Sequence, residues 1–180
     1  MAITFPIFSR HETFHPRFGW LKKGFDKAND DNSIFLKENA PVVFGVGKNM
    51  VRAIRYWCTA FKVLEGPSNG SAKKARADIP TEFGKKLFGD DGWDSYLEDI
   101  ASLWLLHWEL LSSPCYAAAW HFTFNIFRKV EFTAEELLRS LKNYNEQAFP
   151  TTNIVDSSLI KEYKLSAANV YSAACHQCSK

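Results

Sequence analysis

The stretch Lys48-Asn-Met-Val-Arg-Ala-Ile-Arg-Tyr-Trp-Cys-Thr-Ala-Phe-Lys-Val-Leu64 carries the strongest periodic signal in the chain. Val51, Ile54, Cys58 and Phe61 recur at i, i+3, i+7 and i+10, while Lys48, Arg52, Arg55, Thr59 and Lys62 fall on the opposite side. That spacing predicts an amphipathic helix with one apolar and one cationic face, stopped by Gly66-Pro67. Upstream, the first fifteen residues read as an extended arm, and a helix is expected from Pro16. In it Phe18, Leu21 and Phe25 share the inner face and Lys22 and Lys23 point out. It ends in the polar run Lys27–Asn32, and a short helical piece around 34–39 leads to Pro41 and the turn Gly45-Val-Gly47. Downstream, Pro67-Ser-Asn-Gly-Ser-Ala-Lys-Lys-Ala-Arg-Ala-Asp78 is a polar, basic loop, and Thr81-Glu-Phe-Gly-Lys-Lys-Leu87 returns to apolar spacing. Three helices, the third basic, followed by a hairpin-like basic loop, are the pattern of a winged helix-turn-helix. In such a fold the third helix enters the major groove of DNA and the wing touches the backbone.

On that reading Asn49, Arg52 and Arg55 suit base edges, Lys48 suits phosphate, and Lys73, Lys74 and Arg76 belong to the wing. The competing reading is a solvated surface helix, or a winged helix that docks protein. Gly45-Val-Gly47-Lys48 is no phosphate loop, because Val42 and Asn49 occupy the positions that need Gly and Ser or Thr. No nucleotide or organic cofactor is expected.

Composition sets the outer limits. The 180 residues are 46% hydrophobic and 23% charged, which argues against disorder, and 15 Phe, 6 Trp and 6 Tyr supply bulky core material. No apolar run reaches the roughly 18–20 residues of a membrane span, and the N-terminus lacks the basic and apolar regions of a secretory signal. Four cysteines are too few and too scattered for a disulfide-framed secreted domain, so a soluble protein of a reducing compartment such as the cytoplasm is expected. Charge is unevenly placed. Residues 1–89 hold 15 Lys/Arg against 8 Asp/Glu, whereas residues 90–180 hold 7 against 12. A basic half is the footprint of a polyanion partner, or of a half that docks on an acidic surface.

The expected architecture is therefore mainly α. A winged helix-turn-helix with a small β-wing occupies 1–89, and an all-helical, acidic, aromatic-rich domain occupies 90–180. Ile100-Ala-Ser-Leu-Trp-Leu-Leu-His107-Trp108 is apolar nearly all round and predicts a buried helix. A second buried helix is expected over 116–127. Thr133 and Glu136 form a capping box that opens a helix ending near Lys142, and a last helical segment is expected over about 157–171.

Three clusters have chemistry-bearing side chains. His11-Glu12, with His15 nearby, offers imidazoles and a carboxylate for general acid–base work or a divalent metal, or it pins the arm by local hydrogen bonds. Asp90, Asp91, Asp94, Glu98 and Asp99 suit Mg²⁺-assisted phosphodiester cleavage, or they serve as charges favoured at a helix N-terminus. His107 is a core histidine or a ligand. Cys175-His-Gln-Cys178 supplies only half of a zinc knuckle. The chain has no G-x-S-x-G elbow, Rossmann glycine motif or H-E-x-x-H, which argues against the common hydrolases, dehydrogenases and metalloproteases.

Several strings, taken together, resemble one bacterial family. They are Phe8-Ser-Arg-His-Glu-Thr-Phe14, Gly19-Trp-Leu-Lys-Lys-Gly24, Gly45-Val-Gly-Lys-Asn-Met-Val-Arg-Ala-Ile-Arg-Tyr-Trp57, Asp94-Ser-Tyr-Leu-Glu-Asp99 and Leu103-Trp-Leu-Leu-His-Trp108. The family is the SspB-like domain of unknown function found in DNA phosphorothioation gene clusters. The resemblance implies a metal-dependent DNA nickase using Mg²⁺ or Mn²⁺. Such a nickase acts on double-stranded DNA beside a cysteine desulfurase, an ATPase and a sulfurtransferase in modification and defence, with a homodimer as a further expectation. The matching strings contain His11, Glu12, Asp94, Glu98 and Asp99 as catalytic candidates and Lys48, Asn49, Arg52 and Arg55 as DNA-binding candidates. The alternative is a non-catalytic DNA-binding adaptor that recruits the sulfur-transfer enzymes, and a third reading is protein docking alone. Relatives are expected to be longer at the C-terminus.

Overall fold

The computed structural model describes residues 11–66 and 77–148. The wing residues Lys73, Lys74 and Arg76, the expected helix at 157–171, and Cys175 and Cys178 lie outside the described residues. The fold is mainly helical. Two compact units emerge, Phe14–Ser112 on the one hand and Met1–Thr13 with Ser113–Lys180 on the other. The change in charge at 89/90 falls inside the first of these.

The unit Phe14–Ser112 begins with α1 (Trp20–Asp30), one 3₁₀ turn (Ile34–Leu36), α2 (Ala40–Phe44) and α3 (Lys48–Ala60). Strands β1 (Leu64–Glu65) and β2 (Ile79–Pro80), then α4 (Glu82–Phe88) and α5 (Ile100–Leu111), complete it. The stripe Val51, Ile54, Cys58 and Phe61 is buried as its period requires, and Ala53 and Trp57 join it in the core. Leu21 and Phe25 of α1 and Leu87 and Phe88 of α4 are also buried, with the Phe25 and Phe88 rings 6.0 Å apart. The α1–α3 contact is close. A Cβ on Gly24 would lie 2.3 Å from Cys58 Sγ, so glycine is what lets the helices approach. Gly45, at φ +62, makes the left-handed turn between α2 and α3.

Three sequence expectations are revised here. Helix α3 stops at Ala60 instead of Leu64, because Lys62 takes a left-handed φ of 56° and turns the chain into β1. Helix α1 starts at Trp20 rather than Pro16, so Phe18 precedes it and is 79% exposed instead of packed inward. Helix α5 is not buried all round. Ser102, Leu106 and Leu110 form its inner row, whereas Leu103, Trp104 (67% exposed) and Trp108 (71%) face outward. High mean hydropathy marks a helix that can be covered, but covering needs a facing surface that the helix's own sequence does not specify.

β1 and β2 form a short antiparallel ribbon, Leu64 opposite Pro80 and Glu65 opposite Ile79. Thr81 fastens it to α4. Its Oγ1 donates to Lys62 O at 2.5 Å and accepts from Gly84 N at 2.9 Å, the N-cap of α4. Lys62 Nζ in turn donates to the carbonyls of Glu109 and Ser112 at 2.6 and 3.2 Å, closing the C-terminal end of α5 with a cation.

In the other unit, the expected helix over 116–127 is α6 (Ala118–His121) followed by a π-helical turn, Phe122–Ile126. Helix α7 runs Ala134–Ala148, beyond the expected end at Lys142. Its capping box is present: Glu136 N donates to Thr133 Oγ1 at 3.2 Å and Thr133 N donates to Glu136 Oε2 at 2.9 Å. Ala119, Phe122, Leu137 and Leu141 form the core, ringed by aromatics that include Tyr144, 5.1 Å from the Phe122 ring.

Candidate functional site

Helix α3 presents Lys48, Asn49 and Arg52 to solvent at its N-terminal half. The helix opens from Gly47 with no side-chain cap, so its first amides and the positive end of its dipole lie at the end of the helix that carries Lys48. Arg55, one turn further on, behaves differently. Its Nε donates to Asp78 Oδ1 at 2.9 Å, its side chain is 29% exposed, and Asp78 is 0% exposed. Asp78 stands at the foot of the loop between β1 and β2, where its own N–H donates to Asn32 O at 2.9 Å. The pair thus ties α3 to the base of the ribbon and to the segment after α1. Burial pushes the Asp78 carboxyl above its ordinary range, and the Arg55 hydrogen bond and charge pull it back. Its second oxygen, Oδ2, is buried without a hydrogen bond. Sequence reasoning missed Asp78, since a single acidic residue 23 positions from its partner gives no local signal.

The acidic run has a defined local architecture. Asp94 Oδ1 accepts from Glu98 N at 3.0 Å and Oδ2 accepts from Asp99 N at 2.9 Å, so both carboxylate oxygens hold the turn that precedes α5. Those hydrogen bonds hold the Asp94 carboxyl below the usual carboxylate range. Asp99 is the N-cap of α5, accepting from Ala101 N at 2.8 Å. Asp90, Asp91 and Glu98 are exposed. His107 is half-buried on α5, edge-on to Trp104 at 5.9 Å, and burial lowers its pKa.

His11 and Glu12 belong to the other unit. His11 is fully buried, and its Nδ1 accepts from Thr13 N at 3.1 Å. Glu12 and Thr13 both have positive φ, 51° and 68°, so the arm turns sharply here. The His11–Thr13 bond joins residues two apart within the arm itself. His15 is exposed in the first unit.

The fold is predominantly helical, with one cationic helix edge and a short two-stranded ribbon. The chain belongs to the family described as Protein of unknown function (DUF4007), whose model matches residues 8–177. Two solved structures are similar to it. The SspB crystal structure superposes with a TM-score of 0.80 at 37% identity, covering 89% of this chain and 48% of that one. The magnesium ion-bound SspB crystal structure gives a TM-score of 0.80 at 39% identity, covering 88% and 47%. The chain therefore spans about half the length of these SspB chains. No curated protein matches it.

The magnesium of the second structure invites a test of fit. Among the described residues, no group of three or more His, Cys, Asp or Glu side chains is arranged to hold a metal ion. The oxygens of Asp94 and one of Asp99 are engaged by backbone amides. The acidic turn is built as a set of caps, and the described residues do not fit a magnesium cradle.

Proposed function

We propose that the chain binds double-stranded DNA as part of an SspB-like protein of a phosphorothioate modification and defence system, and that such a protein nicks one strand. The observation that carries the DNA reading is the solvent-facing edge Lys48–Asn49–Arg52 on α3, braced behind by the Arg55–Asp78 pair at the root of the ribbon. In this reading α1–α3 and the ribbon act as a winged helix. Lys48 and the first amides of α3 hold a phosphate, Asn49 and Arg52 reach base edges, and Arg55 keeps the wing in register with the recognition helix. Lys73, Lys74 and Arg76 would add backbone contacts.

For strand cleavage, His11, Glu12, Asp94, Glu98 and Asp99 are the groups in the strings shared with the family. Of the three acids in the turn, exposed Glu98 is the one whose carboxylate caps no backbone amide among the described residues. A cysteine desulfurase, an ATPase and a sulfurtransferase would act beside the protein in the cytoplasm. The adaptor reading, binding without cleavage, is favoured by the capping roles of Asp94 and Asp99.

The test is fluorescence anisotropy on a labelled duplex across a salt series, with a supercoiled-plasmid assay in Mg²⁺ or Mn²⁺ on the same preparation. Arg52→Glu should weaken duplex binding about tenfold or more. Glu12→Gln, Glu98→Gln and Asp99→Asn separate the two readings, the last keeping an acceptor for the α5 cap. Open circles lost in one of these while binding persists supports nicking. Binding without relaxation supports the adaptor. Absence of salt-dependent affinity at low salt refutes both.

A further inference from the structure

A groove of about 410 Å³ lies on the unit Phe14–Ser112, between the start of α1 and the turn that precedes α5. None of Lys48, Asn49 and Arg52 lines it. One wall is α1, which contributes Lys22, Lys23 and Lys27, and the other is the loop carrying Tyr96 and Leu97. Phe18 stands at the α1 end and Tyr96 at the loop end, 79% and 71% exposed. Each ring sits next to a residue with positive φ. Phe18 precedes Gly19, whose φ of +78° starts the helix, and Tyr96 sits before Leu97 at φ 54° in the turn that Asp94 braces. Among the described residues the one carboxylate of the lining, Asp26, is engaged by Lys22 Nζ at 2.5 Å, and Lys23 Nζ donates to Phe44 O at 3.3 Å. The groove thus combines a cationic excess with two outward aromatic rings.

We infer that this groove binds single-stranded DNA, taking unpaired bases against Phe18 and Tyr96 and the phosphates on the α1 lysines. The two halves of the lining select this ligand together. Flat exposed rings gain from stacking on the face of a base, which a duplex hides within its own stack, and lysines track the backbone without reading sequence. An acidic peptide would use the lysines and leave the rings without a matching surface. A purely apolar helix would gain nothing from three ammonium groups. The volume is within the roughly 300–1,000 Å³ usual for sites that enclose a small ligand moiety. The inference stands independently of the duplex edge on α3, because the two surfaces share none of the residues invoked.

The whole chain is tested by anisotropy with fluorescein-labelled oligothymidylate of twelve nucleotides and with a blunt duplex of twenty base pairs. Phe18→Ala and Tyr96→Ala should each weaken oligothymidylate about 5- to 150-fold and leave duplex affinity unchanged. Lys23→Glu with Lys27→Glu should flatten the salt slope of oligothymidylate binding by about 1.4, from about 0.7 per charge. Both rings are largely in solvent, so melting temperatures should stay at the wild-type value, and Phe18→Trp should retain binding. Arg52→Glu is the complementary control. Its failure to weaken duplex binding would count against the α3 reading and leave the groove standing. The groove is refuted if wild type does not bind oligothymidylate, if the ring variants bind it normally, or if they lose duplex and single strand equally.

Discussion

Arg55→Ala removes the guanidinium that faces a carboxylate with no solvent exposure. Removing one partner of a buried pair costs about 3–5 kcal/mol, because the remaining charge stays desolvated. Solvent reaches part of Arg55, which places the expected loss near the low end, about 3 kcal/mol. For a chain of this size that is a fall of about 6–12 °C in Tm. The sign of the pH dependence follows from the same contact. Burial raises the folded-state pKa of Asp78 above its ordinary 3.8, so this acid holds its proton longer folded than unfolded. Stability contributed by the protonated form is therefore lost as pH rises from the unfolded value through the folded one. Without Arg55 the folded pKa moves further up, and the deficit of Arg55→Ala relative to wild type should shrink as pH falls from 7 toward 5. Asp78→Asn in the Arg55→Ala background should recover part of the loss, since no charge is left buried, and the double-mutant cycle measures the coupling. Thermal melts by circular dichroism at pH 7 and 5 decide it. A fall below about 2 °C, or a deficit equal at both pH values, would refute the assignment of the energy to this carboxylate.

Three further outcomes can be checked on the same preparations. Gly24→Ala forces a methyl against Cys58 Sγ and Ile54 Cγ2, and should cost about 1–3 kcal/mol; Cys58→Ala in the same chain should relieve most of it, read as Tm. Thr81→Ala removes both the α4 cap and the bond to Lys62 O, for a loss of about 1–2 kcal/mol in chemical denaturation, whereas Thr81→Ser should stay near wild type. Burial pushes the Cys58 thiol far up, so iodoacetamide at pH 8 should leave it unlabelled until denaturant unfolds the chain, as mass mapping of the Cys58 peptide would show.

What could be read from the sequence follows the range of each interaction. The α3 stripe and the Thr133–Glu136 box are local patterns, set within one or two turns of helix, and both are present in the structure. The start of α1 was displaced by two turn residues, Phe18 and Gly19, whose apolar spacing imitates a helix that the left-handed Gly19 delays. Asp94 and Asp99 looked like a charge cluster because composition does not show which amide a carboxylate will meet. The Arg55–Asp78 pair depends on a ribbon only two residues wide on each side. Nothing in β1 or β2 alternates for long enough to announce a strand, and the acid that fixes the cationic face is placed by tertiary folding. The α5 stripe shows the opposite limit: its apolar character is plain, but its outward half reflects neighbours rather than its own residues.

That outward half has an optical consequence. Of the six tryptophans, Trp20, Trp57 and Trp120 are buried, whereas Trp93, Trp104 and Trp108 are exposed and fall within sixteen residues of one another. Indole emission moves to shorter wavelength when water leaves its surroundings, so the native spectrum is a sum of a blue component from the cores and a red one from α5 and its approach. Acrylamide should quench the red component first. Any molecule that settles on the outward row of α5 would shift that component alone, giving this protein a built-in reporter of that exposed apolar face.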